Sequence, residues 1–502
     1  MNFAEALRVE ATRDLKTRTE NGAVAYKTTG RKLLDLNFAA SSYRSRSDDE
    51  VYKAFMAAYR EDPRSAMLWL FYLRDIRGGM GERRFFRVVM ERLAADAAFA
   101  DLVCAVIPLI PEYGRWDDML NLLDGCCDKV AAKIIDFVAG QLKSDSVNAA
   151  EGKPISLLAK WMPGDNATNR QRVRRAMRLA DGLGMEIGGY RKTVTGLRKY
   201  LKLVERSMST GKWSEIAYDQ VPSRANLIYK DAFLRHDRER RTAYLSSVSK
   251  GGAKINAETL FPHDIVHRYS CGKDESCEAL WNALPDYSGG SGTLVVRDGS
   301  CSMCQCIGNT KVTALDVSTA LAVYFAERSE GPFKDQFITF SARPCLVSLG
   351  GMTTLRDKLH ATYCHGDCTN TNIEAVFNLI LDAAVRSGAE QQDLPERVLV
   401  ISDMEFDRAM SRPNSTLFEV IRNKFAARGY QLPKLVFWNV CSRSNAIPIR
   451  ENENGVALVS GFSPAAIKMV LREETDPYEA MTAILNSERY APVQSALNGI
   501  RF

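Results

Sequence analysis

The hydrophobic pattern of this chain changes once, at PDYSGGSG (285–292), and that change constrains the fold more than any other feature. On its N-terminal side apolar residues recur at three- and four-residue spacings, whereas on its C-terminal side short apolar runs alternate with helical segments. Proline, glycine and serine together are typical of a linker. Because 502 residues are too many for one hydrophobic core, we predict domains at 1–285 and 293–502, joined by a linker at 286–292.

The first 285 residues are predicted to form an all-α domain. Helical periodicity is clearest over 48–62, 64–79, 82–99, 128–144 and 170–184, and glycine or proline stands at many of the ends. Many helices joined by short turns favour a HEAT-like helical array. The sequence has no clean internal repeat, so a regular tandem repeat is not predicted.

The remaining residues are predicted to form a doubly wound parallel sheet. Buried strands are expected at 293–298, 336–341, 397–403, 434–440 and 455–462. The helices expected between or after them are 312–329, 371–388, 415–429 and 463–474. Strand–helix alternation implies right-handed crossovers. In such a sheet a functional site lies beyond the carboxyl ends of the strands.

Oxygen-bearing side chains follow two of these strands. Asp298, Ser300 and Ser302 alternate along the turn after the first strand, and Asp403 ends a later one. A hard dication such as Mg²⁺ takes a small set of oxygen ligands. We therefore predict one divalent cation, Mg²⁺ or else Mn²⁺ or Ca²⁺, at this edge. The prediction requires the two carboxylates to lie together without a basic side chain between them. The alternative is that Asp298 and the two serines cap the following helix and bind nothing.

DGSCSM (298–303) resembles the D-x-S-x-S motif of the metal-ion-dependent adhesion site in von Willebrand A domains. In that family an Asp and two Ser of a first loop, a Thr of a second and an Asp of a third surround the metal. The resemblance implies that Asp298, Ser300 and Ser302 are the first-loop residues and that Asp403 is the third-loop residue. It implies Thr371 for the second loop, because a helix begins directly after it, with Thr369 as the close alternative. Cys301 stands where the family usually has glycine.

A second resemblance covers nearly the whole chain. Two successive segments are similar to the TROVE module of Ro ribonucleoproteins: RDIRGGMGERRFFRVVMERL (74–93) and IPEYGRWDDMLNLL (110–123). Three others look closer to a Ro-like family of phages and diverse cellular genomes: ISLLAKWMP (155–163), YRKTVTGLRKYLKLVERSMSTGKWSEI (190–216) and VFWNV (436–440). In Ro proteins the helical array closes into a ring that binds RNA ends and structured small RNAs. The resemblance implies RNA, structured or misfolded, as a partner here.

Basic residues are concentrated in the predicted helical domain, where 46 Lys and Arg stand against 37 Asp and Glu. Lys and Arg bind phosphates irrespective of nucleotide sequence. The candidate RNA-binding residues form three clusters: Arg170, Arg172, Arg174, Arg175 and Arg178; Arg191, Lys192, Arg198, Lys199 and Lys202; and Arg235 and Arg238, with Arg240 and Arg241 beside them. Tyr190, Tyr200 and Trp213 are candidates for stacking on unpaired bases. The opposing interpretation is solvated helix faces and core aromatics.

The first functional hypothesis is therefore a non-enzymatic RNA-binding protein whose A domain recruits a partner, an acidic side chain of which completes the metal's coordination. The second is a protein-interaction or phage assembly component without an RNA role. The third, a metal-dependent nuclease, is disfavoured because two-metal catalysts rely on several carboxylates.

No apolar run approaches the ~20 residues that cross a bilayer, and the N-terminus lacks a signal peptide's apolar core. We predict a cytoplasmic protein, in the host if a phage encodes it, without a membrane partner.

Overall fold

The computed structural model describes residues 15–269, 274–289, 292–365, 372–407, 417–444, 446–448, 455–469 and 476–502. The chain divides into two compact units. The first, here called the sheet unit, comprises Met1–Trp69, Gly78–Met80 and Ala257–Ser487. The second, the helical unit, comprises Leu70–Arg77, Gly81–Asn256 and Glu488–Phe502. The predicted order, a helical region followed by an α/β region, is confirmed.

The helices before the sheet follow the predicted periodicity closely. They are α1 (Lys32–Ala39), α2 (Asp48–Glu61), α3 (Pro63–Arg74), α4 (Arg84–Ala95), α5 (Ala100–Val106), α6 (Ile110–Tyr113), α7 (Trp116–Leu120), α8 (Asp128–Ala150), α9 (Leu158–Trp161), α10 (Arg170–Gly182), α11 (Ile187–Tyr200), α12 (Val204–Ser209), α13 (Ser223–Ile228), α14 (Lys230–His236), α15 (Arg238–Ser249), α16 (Pro262–His267) and α17 (Glu275–Asn282). A short antiparallel pair, β1 (Lys16–Arg18) and β2 (Val24–Tyr26), precedes them.

Six strands form the central sheet of the sheet unit: β3 (Thr293–Asp298), β4 (Gln336–Phe340), β5 (Leu346–Ser348), β6 (Arg397–Ser402), β7 (Lys434–Asn439) and β8 (Val456–Ser460). Their spatial order is β5-β4-β3-β6-β7-β8. The later helices are α18 (Ala314–Arg328), α19 (Leu355–Cys364), α20 (Ile373–Ser387), α21 (Leu417–Ala426), α22 (Pro477–Leu485) and α23 (Ala491–Ala496). Every residue of β3 and β6 is buried, as continuous apolar strands of a parallel sheet should be.

The prediction of a wholly parallel sheet is wrong at one edge. β5 pairs antiparallel with β4, whereas the other neighbours are parallel. β5 has three residues, and only its central Val347 is buried. A strand so short, half exposed at an edge, has too weak a hydrophobic pattern to be recognised in the sequence. The predicted helix at 463–474 is also different, because its described part is a 3₁₀ turn, Pro464–Met469.

The compact units differ from the predicted domains at both ends of the chain and before the linker, because residues 257–285, predicted in the helical domain, belong to the sheet unit. The segment before α3 belongs to the sheet unit, where the backbones of Tyr26 and Ile447 exchange hydrogen bonds of 2.8 and 3.0 Å. Asn439 Nδ2 donates to the carbonyl of Phe38 at 2.8 Å. Residues 488–502 belong to the helical unit, where Arg489 Nε donates to Asp75 at 2.8 Å. These associations arise from long-range pairing, which periodicity along the chain does not encode.

Part of the predicted linker is anchored. The amide of Tyr287 donates to the hydroxyl of Tyr324 at 3.0 Å, and Ser288 Oγ donates to the carbonyl of Arg328 at 3.0 Å. Ser288 is only 6% exposed. Residues 285–289 therefore pack against α18 within the sheet unit.

The helical unit contains a buried charge network. Arg74 Nε donates to Asp118 Oδ2 at 2.9 Å, and Arg87 Nε donates to Asp118 Oδ1 at 2.5 Å. Arg74 and Asp118 are almost fully buried.

In the described residues no single helix is long and apolar enough to cross a membrane, although Arg84–Ala95 and Ala97–Tyr113, bent by 100°, pass that test together by length and composition.

Candidate functional site

The predicted cation ligands lie where the strand order of the sheet reverses. From β3 the chain proceeds to β4 and β5 on one side, then returns to β6, β7 and β8 on the other. β3 and β6 are parallel neighbours, so their carboxyl ends meet at the same edge. The crevice at such a reversal is the usual ligand site of open α/β sheets. Asp298 is the last residue of β3, and Asp403 follows the last residue of β6.

Hydrogen bonds hold the carboxylate of Asp298 in a defined position. Its Oδ1 accepts from the amide of Ser300 at 2.9 Å, and its Oδ2 accepts from the hydroxyl of Ser402 at 2.5 Å. Asp298 is fully buried. Ser402 was not among the predicted site residues, although the register that pairs Arg297 with Ile401 puts it beside Asp298. That register is a property of the folded sheet.

The turn after β3 brings two hydroxyls together. Ser300 Oγ and Ser302 Oγ are 3.0 Å apart. Cys301 begins a 3₁₀ turn and is not among the described non-glycine residues with positive φ. The glycine that Cys301 replaces in the resembling motif is therefore not required by this backbone. A Cβ at residue 299 would lie 3.2 Å from Arg297 Nη1, a tight contact that a small shift of the guanidinium would have to relieve.

Asp403 is the second buried carboxylate, with 2% of its surface exposed. Burial, and next the negative charge of Asp298, raise the pKa of Asp403 to about 6, against a hydrogen bond with Ser302 that lowers it. Burial likewise raises the pKa of Asp298, opposed first by its hydrogen bond with Ser402. The charge of Asp298 affects the pKa of Asp403, so the two buried carboxylates are neighbours at this edge of the sheet.

One basic side chain does reach this pair. Arg443 Nη2 lies 3.5 Å from Asp403 Oδ2 and 2.9 Å from Glu20 Oε2. The loop after β7 thus brings Arg443 to Asp403, whereas the prediction excluded only a basic side chain between Asp298 and Asp403, a position that this contact does not assign to Arg443. The hydrogen bonds of Asp298 described above come from serine groups.

A cavity of about 310 Å³ opens beside Asp403 and Ser302. Its other walls come from the segment after α1, the segment between β3 and the start of α18, and the loop after β7: Ser42, Ser45, Arg46, Gln305, Cys306, Ala314, Cys441, Ser442 and Arg443. Local sequence patterns did not predict that the N-terminal segment forms part of the cavity. Its position depends on long-range contacts, such as the hydrogen bond that Ser41 Oγ donates to the carbonyl of Asn439 at 3.1 Å.

Glu405 does not serve the site directly. Its carboxylate accepts from the amides of Arg443 and Ser444 at 3.1 and 2.9 Å, and from the amide of Glu20 at 2.9 Å. Met404 has a φ of +65°, which breaks the alternation that would orient Glu405 like Asp403. Glu405 thus joins the N-terminal segment to the loop after β7, and this loop forms a wall of the cavity.

The donor set fits a small hard cation. Two carboxylates and two hydroxyls supply only oxygen, the preference of Mg²⁺ and Mn²⁺. Two ligands at the Mg²⁺–oxygen distance are about 3.0 Å apart along an octahedral edge, the separation of the two serine hydroxyls. The described residues contain no group of three or more His, Cys, Asp or Glu side chains suited to a metal, so a cation here would depend on hydroxyls and water. Thr369 and Thr371 lie outside the described residues.

Four of the predicted RNA-binding residues are engaged within the helical unit. Arg175 pairs with Asp124, and Arg191 pairs with Asp165. Arg178 donates to the carbonyl of Leu123, and Arg198 donates to the carbonyls of Ala159 and Met162. These guanidiniums join neighbouring segments of the unit, which is a structural role that spacing in the sequence does not reveal.

The predicted stacking residues are also partly structural. Tyr190 is 1% exposed, and its hydroxyl donates to the carbonyl of Pro163 at 2.8 Å, so its prediction as a stacking platform is wrong. Trp213 stacks on His236 with ring centroids 4.4 Å apart. Tyr200 is 36% exposed, and its hydroxyl donates to the carbonyl of Lys153 at 2.8 Å.

The other predicted RNA-binding residues are exposed and, among the described side chains, make no ion pair: Arg170, Arg172, Arg174, Lys192, Lys199, Lys202, Arg235 and Arg238. α10 and α11 contact each other. Burial lowers the pKa of Arg198, Tyr190 opposes this effect, and the charge of Arg172 lowers the pKa further. Cations of the two helices are therefore near one another. We call Arg170, Arg172, Arg174, Lys192 and Lys199 the α10–α11 basic face.

Comparison with known proteins gives two family matches and one relative. Residues 292–495 match a domain of unknown function, DUF7788, and residues 179–286 match another, DUF2828. The uncharacterized protein L728 of Acanthamoeba polyphaga mimivirus is 29% identical over 516 residues, which cover 95% of this chain and 88% of the viral protein. The similarity therefore extends over both units. The interval between the two matches lies within the predicted linker. None of these names specifies a ligand or a reaction, and the function is inferred from the side chains.

Proposed function

We propose that this chain is a Ro-like RNA-binding protein whose sheet unit is a von Willebrand A domain that binds one divalent cation and recruits a partner through it. The observation that carries the proposal is that Asp298 and Asp403 lie at the neighbouring carboxyl ends of β3 and β6, where Ser302 and Asp403 line a cavity. Ser300 lies in the same turn, with its Oγ 3.0 Å from Ser302 Oγ. Mg²⁺ is the proposed ion, with Mn²⁺ and Ca²⁺ as alternatives, and Thr371 is the proposed ligand from the second loop.

The electrostatics of the site support a cation. Two carboxylates whose burial raises both pKa values gain stability when a dication neutralises them. The ion would supply an electrophilic coordination position directed at an anionic group of the partner. The chain's own residues orient that position: Ser402 holds Asp298, and the paired serine hydroxyls hold the turn. The cavity beside Asp403 has room for an acidic side chain.

The helical unit is proposed to be a HEAT-like array that binds RNA through the α10–α11 basic face. Support comes from its unpaired cations on two contacting helices. Such a face binds phosphates of any sequence, so affinity should fall steeply with salt. The competing function, a protein-interaction or assembly component without RNA, is favoured by the cavity alone, since that site needs no nucleic acid.

The cation proposal is tested by titrating the full chain with Mn²⁺ by calorimetry. Asp298→Asn and Asp403→Asn should each abolish binding, whereas Asp393→Asn, which alters an exposed carboxylate of the same unit, should bind like the wild type. Equal binding by all four proteins would refute the site.

The RNA proposal is tested with a fluorescent hairpin RNA and a salt titration. Replacing Arg170, Arg172 and Arg174 together by Gln should weaken binding and reduce the slope of log affinity against log salt by about 0.7–0.9 per lost contact. Replacing Lys133 and Lys143 on α8, which are also exposed, is the matched control. A lack of binding by the wild type at low salt would favour the assembly role.

A further inference from the structure

Arg443 bridges two carboxylates at the candidate cation site. Its Nη2 lies 2.9 Å from Glu20 Oε2 and 3.5 Å from Asp403 Oδ2. Glu20 is half exposed at 49%, whereas Asp403 is buried. The guanidinium is therefore closer to the exposed carboxylate and more distant from the buried one, and it lies on the wall of the cavity.

The backbone of Arg443 is held firmly, but its side chain is not. The amide of Arg443 donates to Glu405 at 3.1 Å, and its carbonyl accepts from Arg46 Nη2 at 3.1 Å. In contrast, Nε of Arg443 is buried without a hydrogen-bond partner in the described part of the chain. A buried donor left unpaired is unfavourable, so Nε contributes nothing that fixes the guanidinium against Asp403. The loop's hydrogen bonds at Arg443 use its backbone, so a shift of the guanidinium would leave them intact.

A dication and this guanidinium compete for the same carboxylate. An ion bound to Asp403 would lie within a few ångströms of Nη2, where two positive charges repel strongly inside a partly buried site. The contact with Glu20 gives Arg443 an alternative partner on the outer side. Movement of Arg443 fully onto Glu20 would leave Asp403 Oδ2, the oxygen that Arg443 approaches, to the ion.

We propose that Arg443 is an internal counter-cation that occupies Asp403 in the ion-free protein, and that Glu20 withdraws it when a divalent cation binds. The pair thus sets the affinity of the site. This inference rests on the proposed function, because it presupposes that Asp403 ligates a dication. Neither residue belongs to the resembling D-x-S-x-S motif.

The proposal makes the two partners of this ion pair act in opposite directions. Arg443→Gln removes the competitor and should tighten Mn²⁺ binding about tenfold or more. Glu20→Gln removes the acceptor, leaves Arg443 on Asp403, and should weaken binding by a similar factor. The hydrogen bond from the Glu20 amide to Glu405 survives, because it uses the backbone. In the double variant Glu20→Gln should have no further effect.

The experiment is a Mn²⁺ titration of the full chain, followed by electron paramagnetic resonance of the free ion. Lys334→Gln is the control, because it removes one positive charge from an exposed position of the same unit that does not line the cavity; it should change the affinity much less than Arg443→Gln. Far-ultraviolet circular dichroism in EDTA establishes that each variant is folded. Arg443→Met, which also removes the positive charge but keeps a long unbranched side chain, provides a second variant with the same expected result if Arg443→Gln does not fold.

The outcomes separate the two ideas. Tighter binding by Arg443→Gln together with weaker binding by Glu20→Gln supports the counter-cation. If the wild type binds Mn²⁺ and both variants bind it with unchanged or weaker affinity, the counter-cation is overturned and the cation site stands. If Arg443→Gln is the one protein that binds, the counter-cation is supported in its strongest form. No binding by any protein, Arg443→Gln included, overturns both the site and this inference.

Discussion

Replacing Asp403 by Asn should stabilise the ion-free protein at neutral pH while abolishing its response to divalent cations. The pKa of Asp403 is raised to about 6, about two units above that of an exposed Asp, and each unit corresponds to about 1.4 kcal/mol. The folded state therefore keeps its proton to higher pH than the unfolded state. The free energy of unfolding therefore falls as pH rises from about 4 to 6. Above that range the ionised carboxylate lowers it by the full amount, about 3 kcal/mol.

Asparagine has no proton to lose and keeps an oxygen that can accept from the amide of Glu405. In EDTA at pH 7.5, Asp403→Asn should therefore slow hydrogen exchange of Arg397–Ser402 by up to about 100-fold, where exchange requires unfolding of the unit. At pH 5 the free-energy difference should shrink to about half, since the wild type is then mostly protonated when folded. Adding Mg²⁺ at 100 times its dissociation constant should stabilise the wild type by about 2.7 kcal/mol and leave the variant unchanged. Faster exchange of the variant in EDTA at pH 7.5 would refute the reasoning.

Three further predictions concern the same site and the helical unit. Mn²⁺ affinity of the wild type should decline as pH falls through about 6, because the proton on Asp403 competes with the ion; a flat calorimetric profile between pH 5 and 7.5 would contradict this. Asp118→Asn should destabilise the helical unit by about 3–5 kcal/mol, measured by urea denaturation, because Arg74 would remain buried without its countercharge. Arg198→Ala should cost about 1–3 kcal/mol through the carbonyls it leaves unpaired, with hairpin RNA affinity unchanged; a large loss of affinity would assign Arg198 to the RNA surface.

Much of the fold was predictable because local patterns carry it. The strands at 293–298 and 397–402 appear as unbroken apolar runs, and the structure has both of them wholly buried. α18 begins where Thr313 and Asp316 form reciprocal capping hydrogen bonds, a signal that the sequence contains. The edge strand β5 was not predicted, because a three-residue strand is stabilised by its neighbour and not by its own composition.

The basic residues illustrate the limit of reading charge from sequence. Arg172 and Arg175 are three positions apart in one cluster, yet the first is exposed and the second is paired with Asp124. Which arginine faces a carboxylate depends on a segment about 50 residues earlier in the chain. Only the exposed ones remain candidates for phosphate binding.

What the sequence determined by itself is the chemistry available at the sheet edge: Asp298, Ser300 and Ser302 after one buried strand and Asp403 after another. Parallel strands align their carboxyl ends, so local order along the chain was sufficient to bring these oxygens together. The tertiary structure alone decided what surrounds them. Arg443, Glu20 and the wall at 42–46 come from distant segments that pair through backbone hydrogen bonds and through the buried carboxylate of Glu405. Such pairings depend on spatial fit, and no periodicity along the chain records them.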